Sequence, residues 1–177
     1  IIYVNDGSTD TSKNIIESIL ENNPHIKLIS FYENRGKSEA LNVGFKKATG
    51  NIIITLDSDL QDDPQEFDKL INKINTGFDM VSGWKKDRKD SISKTLPSKI
   101  FNFTLKIITN IKIHDFNCGI KAYKSHVIKS INIYGGLHRF IPALVKHKGF
   151  SIAEVPVNHR ERKYGVSKYG SSRIFHG

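Results

Sequence analysis

The run Asp57-Ser58-Asp59-Leu60-Gln61-Asp62-Asp63 holds the residues best suited to chemistry in this chain. Side chains alternate along a strand with period two, so Asp57 and Asp59 at a strand's carboxyl end can face one cleft. A hard divalent cation such as Mg²⁺ or Mn²⁺ wants oxygen ligands. Mg²⁺ usually takes one or two protein carboxylates, with water and phosphate completing the shell. Such an ion neutralises the charge that develops when a diphosphate departs. The competing account is an acidic turn whose aspartates cap the helix that Pro64 opens. A second run, Val4-Asn5-Asp6-Gly7-Ser8-Thr9-Asp10, sets Asp6 just past a strand, where a carboxylate can accept hydrogen bonds from a base or ribose. An Asx turn leading into a helix cap at Ser8 or Thr9 accounts for the same residues. Neither a Gly-x-Gly-x-x-Gly run nor a phosphate-cradling Gly-x-x-x-x-Gly-Lys-Ser/Thr run occurs, which excludes both fingerprints.

A third set is basic: Lys85, Lys86, Arg88, Arg139, Arg160, Arg162, Lys163 and Lys168. Arginine forks match phosphate geometry, and lysine serves as a point charge. Lys86, Lys89 and Lys163 read as solvated surface. Arg162 and Lys168 share a glycine-containing loop that could close over a diphosphate. Asp115 is either a general base or a turn-forming aspartate. Cys118 has no thiolate-activating partner nearby in sequence and reads as buried. His138 and His159 read as hydrogen-bonding or packing residues.

These side chains need a scaffold, and the periodicity supplies one. Ile1–Val4, Ile26–Phe31, Asn51–Leu56 and Asp79–Trp84 read as strands, with Asn51–Leu56 continuously apolar, as in a strand buried on both faces. Between them, helices are expected over 11–22, 38–49 and from Pro64 to Thr76, the latter two closed by Gly50 and Gly77. The β-α-β-α-β-α-β rhythm implies a right-handed, mostly parallel α/β sheet, with ligands at the carboxyl ends of the strands. Both acidic runs lie there. The second half is less regular: a basic loop over 85–91, helices over 97–110 and 137–147, and strands over 119–123 and 150–157. Residues 160–170 read as a mobile loop.

The composition narrows the class. The 177 residues carry a net charge of +9, suit one domain, and include 38% hydrophobic and 25% charged residues, as in globular proteins. A single cysteine excludes a disulfide framework and a cysteine-based zinc site. The seven histidines are scattered without metal-binding spacing. No apolar run approaches the ~18 residues that span a bilayer. The charge is divided: residues 1–83 hold 8 basic and 13 acidic residues, whereas 84–177 hold 19 and 5. An anionic partner held mainly by the second half is expected. A basic nucleic-acid-binding module is the rival class, but no RNP-like aromatic pattern or helix-turn-helix signature is present.

The ordered set Asn5-Asp6-Gly7-Ser8-Thr9-Asp10, Asn34-Arg35-Gly36-Lys37 and Asp57-Ser58-Asp59-Leu60-Gln61 resembles glycosyltransferase family 2. Ser82-Gly83-Trp84-Lys85-Lys86-Asp87-Arg88, Asn117-Cys118-Gly119-Ile120-Lys121-Ala122-Tyr123 and His159–Tyr169 are similar to its polyprenyl-phosphate sugar transferases. The resemblance implies a GT-A type, Rossmann-like fold and one catalytic domain over 1–177. It implies inverting, metal-dependent sugar transfer from a nucleoside diphosphate sugar to a polyprenyl phosphate, at the cytoplasmic side of a membrane, peripheral or anchored. It places Val4, Asp6, Asp57, Ser58 and Lys85 on the nucleotide sugar. Asp59 and Gln61 would hold Mg²⁺ or Mn²⁺. Arg162 and Lys168 would grip phosphate, and Arg88, Arg139 and Arg160 would meet the acceptor. Lys85 stands where the family often has arginine, which removes a bidentate fork. A family 2 enzyme with a hydroxyl acceptor and Asp115 as base is the nearer rival. The resemblance further implies a fragment, without the family's first strand and poorly active alone.

Overall fold

The computed structural model describes residues 1–86 and 102–160. Arg88, Arg162, Lys168, the start of the 97–110 helix and the loop beyond Arg160 lie outside the described residues. In chain order come β1 (Ile2–Asn5), α1 (Ser12–Leu20), β2 (Lys27–Ser30), α2 (Lys37–Lys47), β3 (Ile52–Thr55), a 3-10 turn (Pro64–Glu66) and α3 (Phe67–Asn75). Then follow β4 (Met80–Trp84), α4 (102–109), β5 (Lys121–Lys124), α5 (Ser125–Lys129), a second 3-10 turn (Leu137–Phe140), α6 (Ile141–His147) and β6 (Ile152–Pro156).

The expected α/β rhythm holds, and its local signals explain most of it. Pro64 opens its helical segment as expected, with the Asp63 side chain accepting from Gln65 N. Gly77 follows the end of α3 at φ 110°, a left-handed backbone that glycine adopts without a Cβ penalty. Other boundaries move. Ser8 and Thr9 do not cap α1: Ser8 N instead donates to Asn5 Oδ1, and Asp10 Oδ1 accepts from Ser12 N. Gly50 is not the stop of α2, which ends at Lys47. The expected 137–147 helix divides, because Pro142 fits the first turn of a new helix. Periodicity missed α5, which has only five residues.

The strands form two groups. β1 and β2 pair in parallel. The other four run in the order β3-β5-β4-β6. β4 and β6 are parallel, while β5 runs antiparallel to both β3 and β4. β3, expected to be buried on both faces, has only β5 as a hydrogen-bonded neighbour among the described strands, and Ile53 alone of its residues is buried. β4 and β5 take the central place instead.

α2 connects the two groups. A Cβ on Gly44 would lie 3.6 Å from Val4 Cγ2, and Phe45 meets Tyr123 edge-to-face at 5.5 Å. On another side, Leu70 and Ile74 of α3 join Val81, Cys118, Ile120, Ala122 and Val157 in a second buried cluster. α1 is less covered: Ile15 and Ile19 are exposed. No helix among the described residues is long and apolar enough to cross a membrane.

Gly83 shows how tightly the second cluster closes. A Cβ there would fall 2.6 Å from Ile120 Cγ2 and 2.9 Å from Val157 Cγ2. Overpacking of this kind costs about 1–3 kcal/mol. Gly83→Ala is expected to lose about that much stability in urea unfolding; an unchanged midpoint would contradict the packing described.

Candidate active site

The acidic loop begins where β3 ends. Asp57 receives the Lys37 ammonium on both carboxylate oxygens, at 2.6 and 2.8 Å. Lys37 is the first residue of α2, so the ion pair fixes that helix start against the end of β3. Burial works to raise the Asp57 pKa, but Lys37, with help from Lys85 and Lys121, outweighs it and holds the carboxyl below its ordinary value. Asp57 also abuts Gly119: a Cβ there would lie 2.5 Å from Asp57 Oδ2 and 2.8 Å from Asp62 Oδ2. Only a residue without a side chain fits between the two carboxylates.

Asp62 is buried, and Lys85 Nζ lies 2.7 Å from its Oδ1. Burial pulls the Lys85 pKa down, but Cys118 and Asp62 raise it further, so it stands above the lysine value. The Cys118 thiol is pushed up to about 12 by burial and stays neutral at ordinary pH. Asp62 is therefore the charge that balances Lys85 there. A third lysine, Lys121, is fully enclosed and donates to Cys118 O. Burial pulls its pKa below the usual lysine value.

Asp59 is half-buried, and its Oδ1 accepts from Gln61 N at 3.2 Å. Gln61 Nε2 donates to Arg160 O at 3.4 Å, and Arg160 N returns a bond to Gln61 O at 2.9 Å. Ser58 is exposed beside them. Asp59 and Gln61 together offer two hard oxygen donors on one loop, which fits the few protein ligands that Mg²⁺ usually takes. Among the described residues no three His, Cys, Asp or Glu side chains converge as a metal cluster.

The remaining sequence candidates divide. Asp6 belongs to a cradle: its carboxylate accepts from Arg35 N at 2.7 Å, Gly36 N at 3.0 Å and Asn34 Nδ2 at 2.9 Å. It thereby ties β1 to the residues that lead into Lys37. Val4 turns its side chain toward α2. Arg160 pairs with Asp63. Arg139 lies beside His138 in the second 3-10 turn, which packs on α2. Asp115 is buried, and its Oδ1 accepts from Asn117 N at 3.1 Å, as a turn-forming aspartate does.

Sequence reading missed the partners of these groups. Lys37 ends the Asn34-Arg35-Gly36-Lys37 run, and nothing in that run marks it as the partner of Asp57. Ser38 and His138, a hundred positions apart, are joined by two contacts. His138 N donates to Ser38 Oγ at 3.1 Å, and Ser38 Oγ lies 3.0 Å from His138 Nδ1. Burial, then Lys37, Arg139 and Lys121, lower the His138 pKa to about 4, with Asp57 opposing them.

The glycosyl transferase family 2 profile matches residues 1–131. The chain belongs to that family. It is 36% identical over 99% of its length to the dodecaprenyl-phosphate galacturonate synthase of Rhizobium johnstonii, covering 53% of that protein. It is 37% identical over 96% of its length to the undecaprenyl-phosphate 4-deoxy-4-formamido-L-arabinose transferase of Shewanella sediminis, covering 52%. The chain thus spans about half the length of these curated relatives. Solved structures agree on the fold. The glucosyl-3-phosphoglycerate synthase of Mycobacterium tuberculosis, in complex with Mn²⁺ and UDP-glucose, superposes with a TM-score of 0.70 at 19% identity, over 94% of this chain and 61% of that one. The mannosyltransferase of Pyrobaculum calidifontis, in complex with GDP-mannose and Mn²⁺, gives 0.67 at 21% identity, over 98% and 50%. The GT-A expectation is met, with β5 as the strand that runs against its neighbours.

Two measurements address the electrostatics of this family 2 site. Lys37→Met is expected to raise the Asp57 pKa, because the main opposing charge to burial is gone; carbon-13 NMR titration reads it directly. His138 has its pKa depressed in the fold, so the unfolded chain takes up a proton first on acidification. Stability is therefore lost as pH falls from about 6.5 toward about 4. His138→Gln is expected to flatten that part of the stability profile in urea unfolding.

Proposed function

We propose that this protein transfers a sugar from a nucleoside diphosphate sugar to a polyprenyl phosphate, with inversion, at the cytoplasmic face of a membrane. The carrying observation is the meeting of the acidic loop after β3 with three lysines, Lys37, Lys85 and Lys121, at one place. Such a site suits a reaction between two negatively charged substrates. An acceptor phosphate is already anionic near neutral pH and needs little help from a base. The task is to hold it near an anionic donor, and fixed cations offset that repulsion. The relatives' names narrow the acceptor: both act with a long polyprenyl phosphate.

In this reading Asp57, Ser58 and Lys85 line the nucleotide sugar, and Val4 and Asp6 bound the base pocket. Asp59 and Gln61 would hold Mg²⁺ or Mn²⁺, which neutralises charge on the departing diphosphate when bound. Arg139 and Arg160 are assigned to the acceptor, and Arg88, Arg162 and Lys168 to phosphate, by the family pattern alone. The buried, turn-bound position of Asp115 favours a structural role over that of a base.

Asp59→Ala is expected to lower metal-dependent transfer to an undecaprenyl phosphate at least a hundredfold, consistent with removing a charge-stabilising group. Asp115→Asn, assayed beside it, is expected to lose less than tenfold. Wild-type rates in the first variant would refute the metal assignment. A loss in the second as large as in the first would point to a hydroxyl acceptor.

A further inference from the structure

His138 has no role assigned above, yet it lies within electrostatic range of Lys37, Lys121 and Asp57. Its partner Ser38 is buried and directly follows Lys37, the residue that holds Asp57. The Ser38 oxygen already accepts the His138 backbone N–H. Its single hydroxyl hydrogen is then free for the ring, and Nδ1 lies 3.0 Å away. That assignment, made from the hydrogen-bond network, makes Nδ1 the acceptor and puts the ring proton on Nε2. The ring is half-buried and within electrostatic range of Lys37, Lys121 and Asp57. Burial, and then the nearby cations, disfavour a cationic imidazole, so the ring is neutral at ordinary pH. The outcome is a rigid, uncharged N–H donor beside a group of charged ones.

A neutral donor contributes little to holding a diphosphate, since the lysines already supply charge. It is suited to a hydroxyl or carbonyl oxygen. We infer that His138, locked by Ser38, is a specificity-determining residue that donates its Nε2–H to the sugar of the nucleotide sugar. This rests on the donor site proposed above. A sugar that lacks or inverts the matching oxygen leaves that donor unpaired once the sugar covers it, and sites of this kind discriminate strongly. The bond to Ser38 sets the ring's angle, so Ser38 is a positioning residue.

Calorimetric titration of the purified protein with Mn²⁺ and UDP, UDP-glucose, UDP-galacturonate, GDP and GDP-mannose tests this. For whichever sugar nucleotide the wild type binds, His138→Ala is expected to weaken binding about tenfold, the loss of one hydrogen bond to an uncharged group. The free nucleoside diphosphate is expected to bind as before. His138→Gln, whose amide N–H can replace Nε2–H, is expected to recover part of the loss, and Ser38→Ala to fall between. Equal weakening of nucleotide and sugar nucleotide, or no weakening of either, would overturn the inference while leaving the donor site standing. A wild-type protein that binds none of the five would refute the donor site and this inference with it. Should the alanine variant fold poorly, the glutamine and Ser38→Ala variants decide on the same ratio.

Discussion

The Asp57–Lys37 ion pair is the constraint around which the rest of the site is arranged. Asp57 sits at the end of β3 and Lys37 at the start of α2, so the pair joins a sheet edge to a helix end. Asp62, from the same loop as Asp57, approaches the same glycine. Two carboxylates so close repel strongly in a partly buried place. The fold answers each with its own lysine, Lys37 from α2 and Lys85 from the end of β4. Gly119 makes the approach sterically possible, and β5 begins two residues later.

The antiparallel course of β5 follows the same logic. It brings the 117–121 segment between β3 and β4, so Gly119 reaches Asp57 from the side. It also places Lys121 inside the protein, beside Cys118 and within electrostatic range of Asp57. A buried ammonium is costly unless other charges compensate it. Here Asp115 and Asp57 help, and the cost is accepted at the position where anionic substrates are proposed to meet. Concentrated buried charge of this sort is more characteristic of function than of stability.

The division of charge along the chain takes on a structural meaning in this arrangement. The acidic first half supplies the loop after β3, and the basic second half supplies Lys85 and Lys121 around it. Lys37, from the acidic half, is the exception, and it is the cation that contacts Asp57 directly.

By itself the sequence determined the α/β rhythm, the location of the acidic loop at a strand's carboxyl end, and the family, through motifs kept in order. Those are local properties: hydrophobic period, turn chemistry and short runs of functional residues. It did not determine that β5 would run backwards, that β3 would have one described neighbour, or that α1 would leave Ile15 and Ile19 exposed, because strand pairing depends on contacts between distant segments. Nor did it join Ser38 to His138 or Asp62 to Lys85. Single residues carry no periodicity, and a hydrogen bond across a hundred positions leaves no mark on either neighbourhood. Tertiary structure alone decided which lysine answers which aspartate, since that choice depends on which charges burial forces together.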